Sequence, residues 1–190
     1  MQTERLIQNM MDQVKELQIK LGYARETVRL YYPVESLTGI LGVERSWEEA
    51  EDPKGGFRQF LEELNQDELL QGSGLGALKF GGNPSRMWVS IPPEGSQFVH
   101  EQVEASAFLL ELIELFQKHH HLELAEVEAV FAKHAGEAGY LSQEMPEGTD
   151  FDHVFHLIES QLDEYYYCIK MEMGHTIYHR FLQEDYEMLL

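Results

Sequence analysis

At 190 residues the chain has room for one large domain or two small ones, and its 43% hydrophobic content is ordinary for a globular core. The one cysteine, Cys168, excludes an internal disulfide, and the most apolar run, Phe108 to Phe116, is broken by Glu111 and Glu114, which argues against a membrane span. With 14 Lys and Arg against 34 Asp and Glu the formal net charge is −20, a surface that repels phosphate backbones and so argues against nucleic acid as the general partner.

The first element opens at Thr3, read as an N-cap, and places Leu6, Met10, Val14, Leu17 and Leu21 three or four apart before Gly22. That spacing predicts an amphipathic helix with a glycine stop. Thr27 to Tyr32 alternates in polarity and is rich in β-branched and aromatic residues until Pro33, a short strand. Val34, Leu37, Ile40 and Leu41 then share one face of a compact helix ending at Gly42. Glu44 to Gly56 is acidic and rich in Gly and Pro, a loop. A third helix is expected from Phe57 to Leu64, and Ala77 to Phe80 and Arg86 to Ile91 read as two strands around Gly81-Gly-Asn-Pro84, a hairpin.

Beyond it, Ser96 to His119 is expected as one long helix, apolar on more than one face between Phe108 and Phe116. Leu124, Val127, Val130 and Phe131 describe a short helix to Gly136, and a Gly/Pro/acid loop is expected over Gly136 to Gly148. Phe151, Val154, Phe155 and Ile158 carry helical spacing, and Tyr165 to Met171 and His175 to Phe181 form a second hairpin around Gly174.

Helix, strand, helix, helix, hairpin is the order of a winged helix, and the second half lines up with the first, Phe57, Phe60, Leu61 and Leu64 matching Phe151, Val154, Phe155 and Ile158, with Trp88 opposite Tyr178. The expected fold is therefore α+β and predominantly helical, with tandem winged-helix-like units, each with a small antiparallel hairpin. Unit 1 covers residues 1–95 and unit 2 residues 96–190, joined by the long central helix 96–119 that packs between both. The charge splits unevenly: ten basic and fifteen acidic residues over 1–95 against four and nineteen over 96–190, net −5 and −15. Such acidity either keeps the chain soluble or favours a basic protein partner or a divalent cation.

Catalytic and cofactor motifs are absent from the sequence. Gly72-Ser-Gly-Leu-Gly76 precedes a strand, whereas a phosphate-cradling loop precedes a helix, so it reads as a flexible lead-in to the hairpin. His119, His120 and His121 fall at a helix C-terminus, where imidazolium meets bare carbonyls. His153 and His156, three apart on the expected helix with Glu159 a turn further on, are the best metal-like pair, but the neighbouring Phe151, Val154 and Phe155 leave them on the solvent side and no HExxH is present. His175 and His179 share one strand face too far apart for joint ligation. Cys168, between Tyr167 and Ile169, reads as a buried structural thiol. No metal, cofactor or catalytic residue is assigned.

Basic residues gather in the first half, at Arg25, Arg29, Arg58, Lys79 and Arg86. Arg58 on the third helix and Arg86 at the wing occupy the two elements that touch DNA in a winged helix, against which stand Glu62, Glu63, Asp67 and Glu68 on or after the same helix. Tyr31-Tyr32, Trp88 and Tyr165 to Tyr167 alternate faces on their strands, one face core and the other either helix-covered or a partner surface.

Lys20-Leu-Gly-Tyr23, Arg29 to Leu37 and the terminal Tyr178-His-Arg-Phe-Leu-Gln-Glu-Asp-Tyr186 together resemble a bacterial family of uncharacterised proteins over the whole chain. That resemblance transfers no catalytic residue. In size, acidity and expected architecture the chain is also similar to segregation and condensation protein B, whose tandem winged helices hold other proteins. A cytoplasmic, non-enzymatic protein-interaction module is the leading expectation, with an unidentified protein partner, no membrane and a homo-oligomer left open. A DNA-binding regulator using the first half and a metal-dependent enzyme using His153 and His156 are its alternatives.

Overall fold

A computed structural model describes residues 1–44, 47 and 52–190, which fall into two units, Met1–Glu104 and Ala105–Leu190.

In the first unit, α1 (Thr3–Leu21) buries Leu6, Met10 and Val14 along one stripe and stops at Gly22, with Gln2 rather than Thr3 in the N-cap position. β1 (Val28–Pro33) and α2 (Val34–Leu41) follow as expected, Gly42 closing α2 in the left-handed conformation. Of the loop expected over Glu44–Gly56, residues 45, 46 and 48–51 lie outside the described residues, and α3 (Pro53–Gln66) starts earlier than its apolar pattern. Asp52 explains the early start: its carboxylate accepts from the Gly55 N–H at 2.9 Å, with Pro53 in the first turn. After the single turn α4 (Glu68–Gln71) come β2 (Lys79–Asn83), β3 (Arg86–Ile91) and α5 (Pro93–Gln102).

The sheet order is β1-β3-β2, antiparallel throughout. Leu30, Tyr32, Phe80, Met87, Val89 and Ile91 are buried on the face where the helices pack. Two polar devices join the layers. Tyr32 Oη donates to Asn9 Oδ1 at 2.9 Å inside the core. Asn65 on α3 clasps β2 at Phe80, accepting from its N–H at 2.8 Å and donating to its carbonyl at 3.1 Å. Within the Gly72–Gly76 tract the backbone at Gly74 approaches α5 closely: a Cβ there, where φ is +89°, would lie 2.7 Å from the Phe98 ring. That packing requires glycine.

The long helix expected over 96–119 is two helices. α5 ends at Val103 in extended backbone, and α6 (Ala107–Lys118) begins anew with Ser106 as its N-cap, its Oγ accepting from Leu109 N–H at 3.1 Å. α5 belongs to the first unit and α6 to the second.

In the second unit, α6 and α7 (Leu124–His134) precede four strands: β4 (Tyr140–Glu144), β5 (His153–Leu157), β6 (Tyr166–Glu172) and β7 (His175–Phe181), closed by α8 (Gln183–Glu187). The strands form an antiparallel meander in the order β4-β5-β6-β7. The helix expected around Phe151, Val154, Phe155 and Ile158 is therefore corrected to a strand, and the loop expected over Gly136–Gly148 contains β4. Both faces of β5 are covered. Phe155 meets Phe131 of α7, while Val154 joins Cys168, Met145 and Tyr186 on the other side. Buried on both faces, the segment loses the alternation that marks a half-exposed strand. The matching of α3 with residues 151–158 thus pairs a helix with a strand.

Candidate interaction surface

With the helices on one face of β1-β3-β2, the other face stays open. Its residues form three cross-strand rows: Arg29, Ser90 and Lys79; Tyr31, Trp88 and Gly81; Pro33, Arg86 and Asn83. None of these is buried, and Tyr31 keeps 49% of its surface exposed. The guanidinium of Arg29 lies over Trp88 and that of Arg86 over Tyr31, each 4.5 Å from the ring centroid. Arg29 Nε also donates to Ser90 Oγ at 3.3 Å. A Cβ at Gly81 would come 2.3 Å from a carbon of the Trp88 ring, so only glycine lets the indole lie across β2.

The electrostatics of this face oppose those of the chain. No Asp or Glu occurs in any of the three strands. Among the described residues Arg29, Lys79 and Arg86 form no ion pair, as is also true of Lys15, Arg25, Lys54 and Arg58, whereas Lys20, Lys118, Lys133 and Lys170 each sit on a carboxylate. Stacking on an aromatic ring attracts a guanidinium without consuming its in-plane N–H donors, which stay available to carboxylate or phosphate oxygens.

Of the two arginines expected on DNA-touching elements, Arg86 belongs to this face. Arg58 is exposed on α3, in the helical layer that packs on the opposite face. The signal that locates the face was present in the sequence: Arg29-x-Tyr31 and Arg86-x-Trp88 repeat one pattern at strand period, with no acid between them.

The histidine pair does not converge. His153 and His156 lie three apart on a strand and so point to opposite faces. His153 Nε2 is 3.0 Å from Ser142 Oγ, and burial pushes its imidazole below the ordinary range against the opposing pull of Glu128 and Glu144. His156 Nδ1 is 3.1 Å from the Tyr165 carbonyl, and its ring stacks on Tyr166 at 4.0 Å. Among the described residues no group of three or more His, Cys, Asp or Glu is placed to hold a metal ion. His119 caps the end of α6, and the rings of His120 and His175 meet edge to face at 5.5 Å.

Cys168 is fully buried in β6, and desolvation pushes its thiol up to about 12. At pH 8 the folded chain should therefore react with a thiol reagent at least about 100-fold more slowly than the urea-unfolded chain. Equal rates in the two states would show the site to be open.

Among the described residues no helix is long and apolar enough to cross a membrane. A family model described as a domain of unknown function, E. rectale gene description (DUF3877), matches residues 3–190. No curated protein and no solved structure matches the chain.

Proposed function

The chain belongs to the DUF3877 family of bacterial domains of unknown function, and we propose that it serves as a non-enzymatic protein-interaction module whose docking surface is the open face of β1-β3-β2. The observation that carries this reading is the set of cations without an ion pair among the described residues, two of them stacked on exposed Tyr31 and half-buried Trp88, in a chain of net charge −20. Tyr, Trp and Arg dominate the energetic centres of protein interfaces because they combine apolar area with few rotatable bonds and directed donors.

A winged-helix-like reading of the first unit is supported by the order α1-β1-α2-α3-β2-β3, interrupted by the single turn α4 between α3 and β2, and by the strand order β1-β3-β2. The four-stranded meander of the second unit does not extend that support to it. Element order also favours a DNA-binding regulator. Against it, Arg58 and Arg86 do not share a face, and the exposed side of α3 carries Glu62 beside Arg58. A cytoplasmic location goes with the interaction reading, since the acidic surface and lone thiol suit a reducing, crowded compartment.

The test is site-specific photocrosslinking in the native host, with a benzoylphenylalanine at Tyr31 or, as control, at Leu69, which is exposed on α4. A discrete protein adduct from position 31 and none from position 69 is expected. No adduct at 31, or the same adduct from both positions, would overturn the reading.

A further inference from the structure

Resting on the docking reading above, we infer that the partner presents a short, extended acidic segment. Its carboxylates meet Arg29, Lys79 and Arg86, and its apolar or aromatic side chains lie on Tyr31 and Trp88.

Charge complementarity is the first argument. Among the described residues of this acidic chain these three cations form no ion pair, and the strands that bear them carry no acid. Two of the three are held in place by the rings beneath them, at 4.5 Å. A guanidinium already immobilised loses less entropy when a carboxylate takes its fork, so the stacked pairs are preorganised for bidentate acceptors.

Dimensions select among anions. Strands of five or six residues at ~3.3 Å per residue and three strands at ~4.8 Å spacing give a platform of roughly 20 by 10 Å. One extended peptide of about six residues covers it. Exposed Glu26 before β1 and Glu35 after Pro33 limit the positive field along the strand direction. A nucleic acid would find three cations here, where nucleic-acid affinity grows with each phosphate neutralised, and would bring many more charges against a chain of −20. A peptide with a few carboxylates meets far less of that repulsion and gains from the rings through side-chain contact. A second copy of the chain brings the full −20 with it.

Gly81 belongs to the recognition surface by the same logic. Any Cβ there lifts the Trp88 indole and with it the Arg29 stack, without changing a charge.

The experiment is fluorescence anisotropy on the full chain with fluorescein-labelled (Glu-Tyr)4 as probe, and (Lys-Tyr)4 and the oligonucleotide (dT)8 as comparators, with far-UV circular dichroism confirming the fold of each variant. Saturable binding of (Glu-Tyr)4 is expected, falling about tenfold or more in R29Q/R86Q and in G81V, with (dT)8 at least about tenfold weaker. Should G81V fail to fold, K79Q together with R29Q carries the same test. The inference is overturned by no saturable binding, by variants that bind as tightly as the parent, or by (dT)8 binding as tightly as the peptide. It is equally overturned by concentration-dependent self-association that R29Q/R86Q abolishes, which would make the occupant a second copy. Crosslinking from position 31 without peptide binding would remove the acidic partner and keep the docking face; loss of both would remove the two together.

Discussion

Phe131→Ala is expected to destabilise the second unit by about 3–5 kcal/mol, the usual cost of emptying a phenylalanine site in a closed core. Phe131 is fully buried at the meeting point of four rings: its centroid lies 5.0 Å from Phe108, 5.0 Å from Phe155 and 5.5 Å from Tyr167. Phe108 and Tyr167 also meet edge to face at 5.6 Å. These residues come from α6, α7, β5 and β6, so a cavity here removes contacts of both helices with the sheet. Because a domain's total stability is only about 5–15 kcal/mol, the loss should bring the unit close to unfolding. Phe116→Ala is the matched control. That ring is only partly buried and meets Tyr178 at 4.9 Å, so about 1 kcal/mol is expected. Urea unfolding followed by far-UV circular dichroism reads both, and equal losses would show that the four-ring cluster is not the centre of the core.

How much of this was legible in the sequence depends on whether an element shows one face or two. α1, β1, α2 and the β2-β3 hairpin each bury a single face, and their apolar periods and Gly or Pro stops declare them. β5 buries Val154, Phe155 and Leu157 in near succession because helices lie on one side and α8 with Met145 on the other. Three- and four-residue spacings then arise in a strand by coincidence, and length rather than period is the better guide. The break between α5 and α6 carries no Gly or Pro; only Ser106, a good N-cap in a sequence that could equally have continued as helix, marks it. The interaction surface was half legible. Strand alternation put Arg29 with Tyr31 and Arg86 with Trp88, but which face the helices would cover, and that the guanidiniums would stack rather than pair with one of 34 carboxylates, depends on tertiary packing.

Thr176→Val tests a different kind of dependence, on one buried hydroxyl. Thr176 is 4% exposed in β7, and its Oγ1 both donates to the Leu122 carbonyl at 3.1 Å and accepts from the Leu122 N–H at 3.0 Å. Its own N–H donates to the His120 carbonyl at 2.8 Å. The connection from α6 to α7 is thereby fastened to the sheet without joining it as a strand, and Leu122 is fully buried where it crosses. Valine keeps the shape of threonine but offers neither donor nor acceptor, so it deprives the Leu122 N–H and carbonyl of these two hydrogen bonds. The expected cost is about 2–4 kcal/mol. Serine retains the hydroxyl and loses one methyl, so Thr176→Ser should cost about 1 kcal/mol. Urea unfolding ranks the two, and amide exchange at Leu122 should accelerate in the valine variant alone. A valine variant no weaker than the serine one would mean that packing, not the pair of hydrogen bonds, holds the connection against β7.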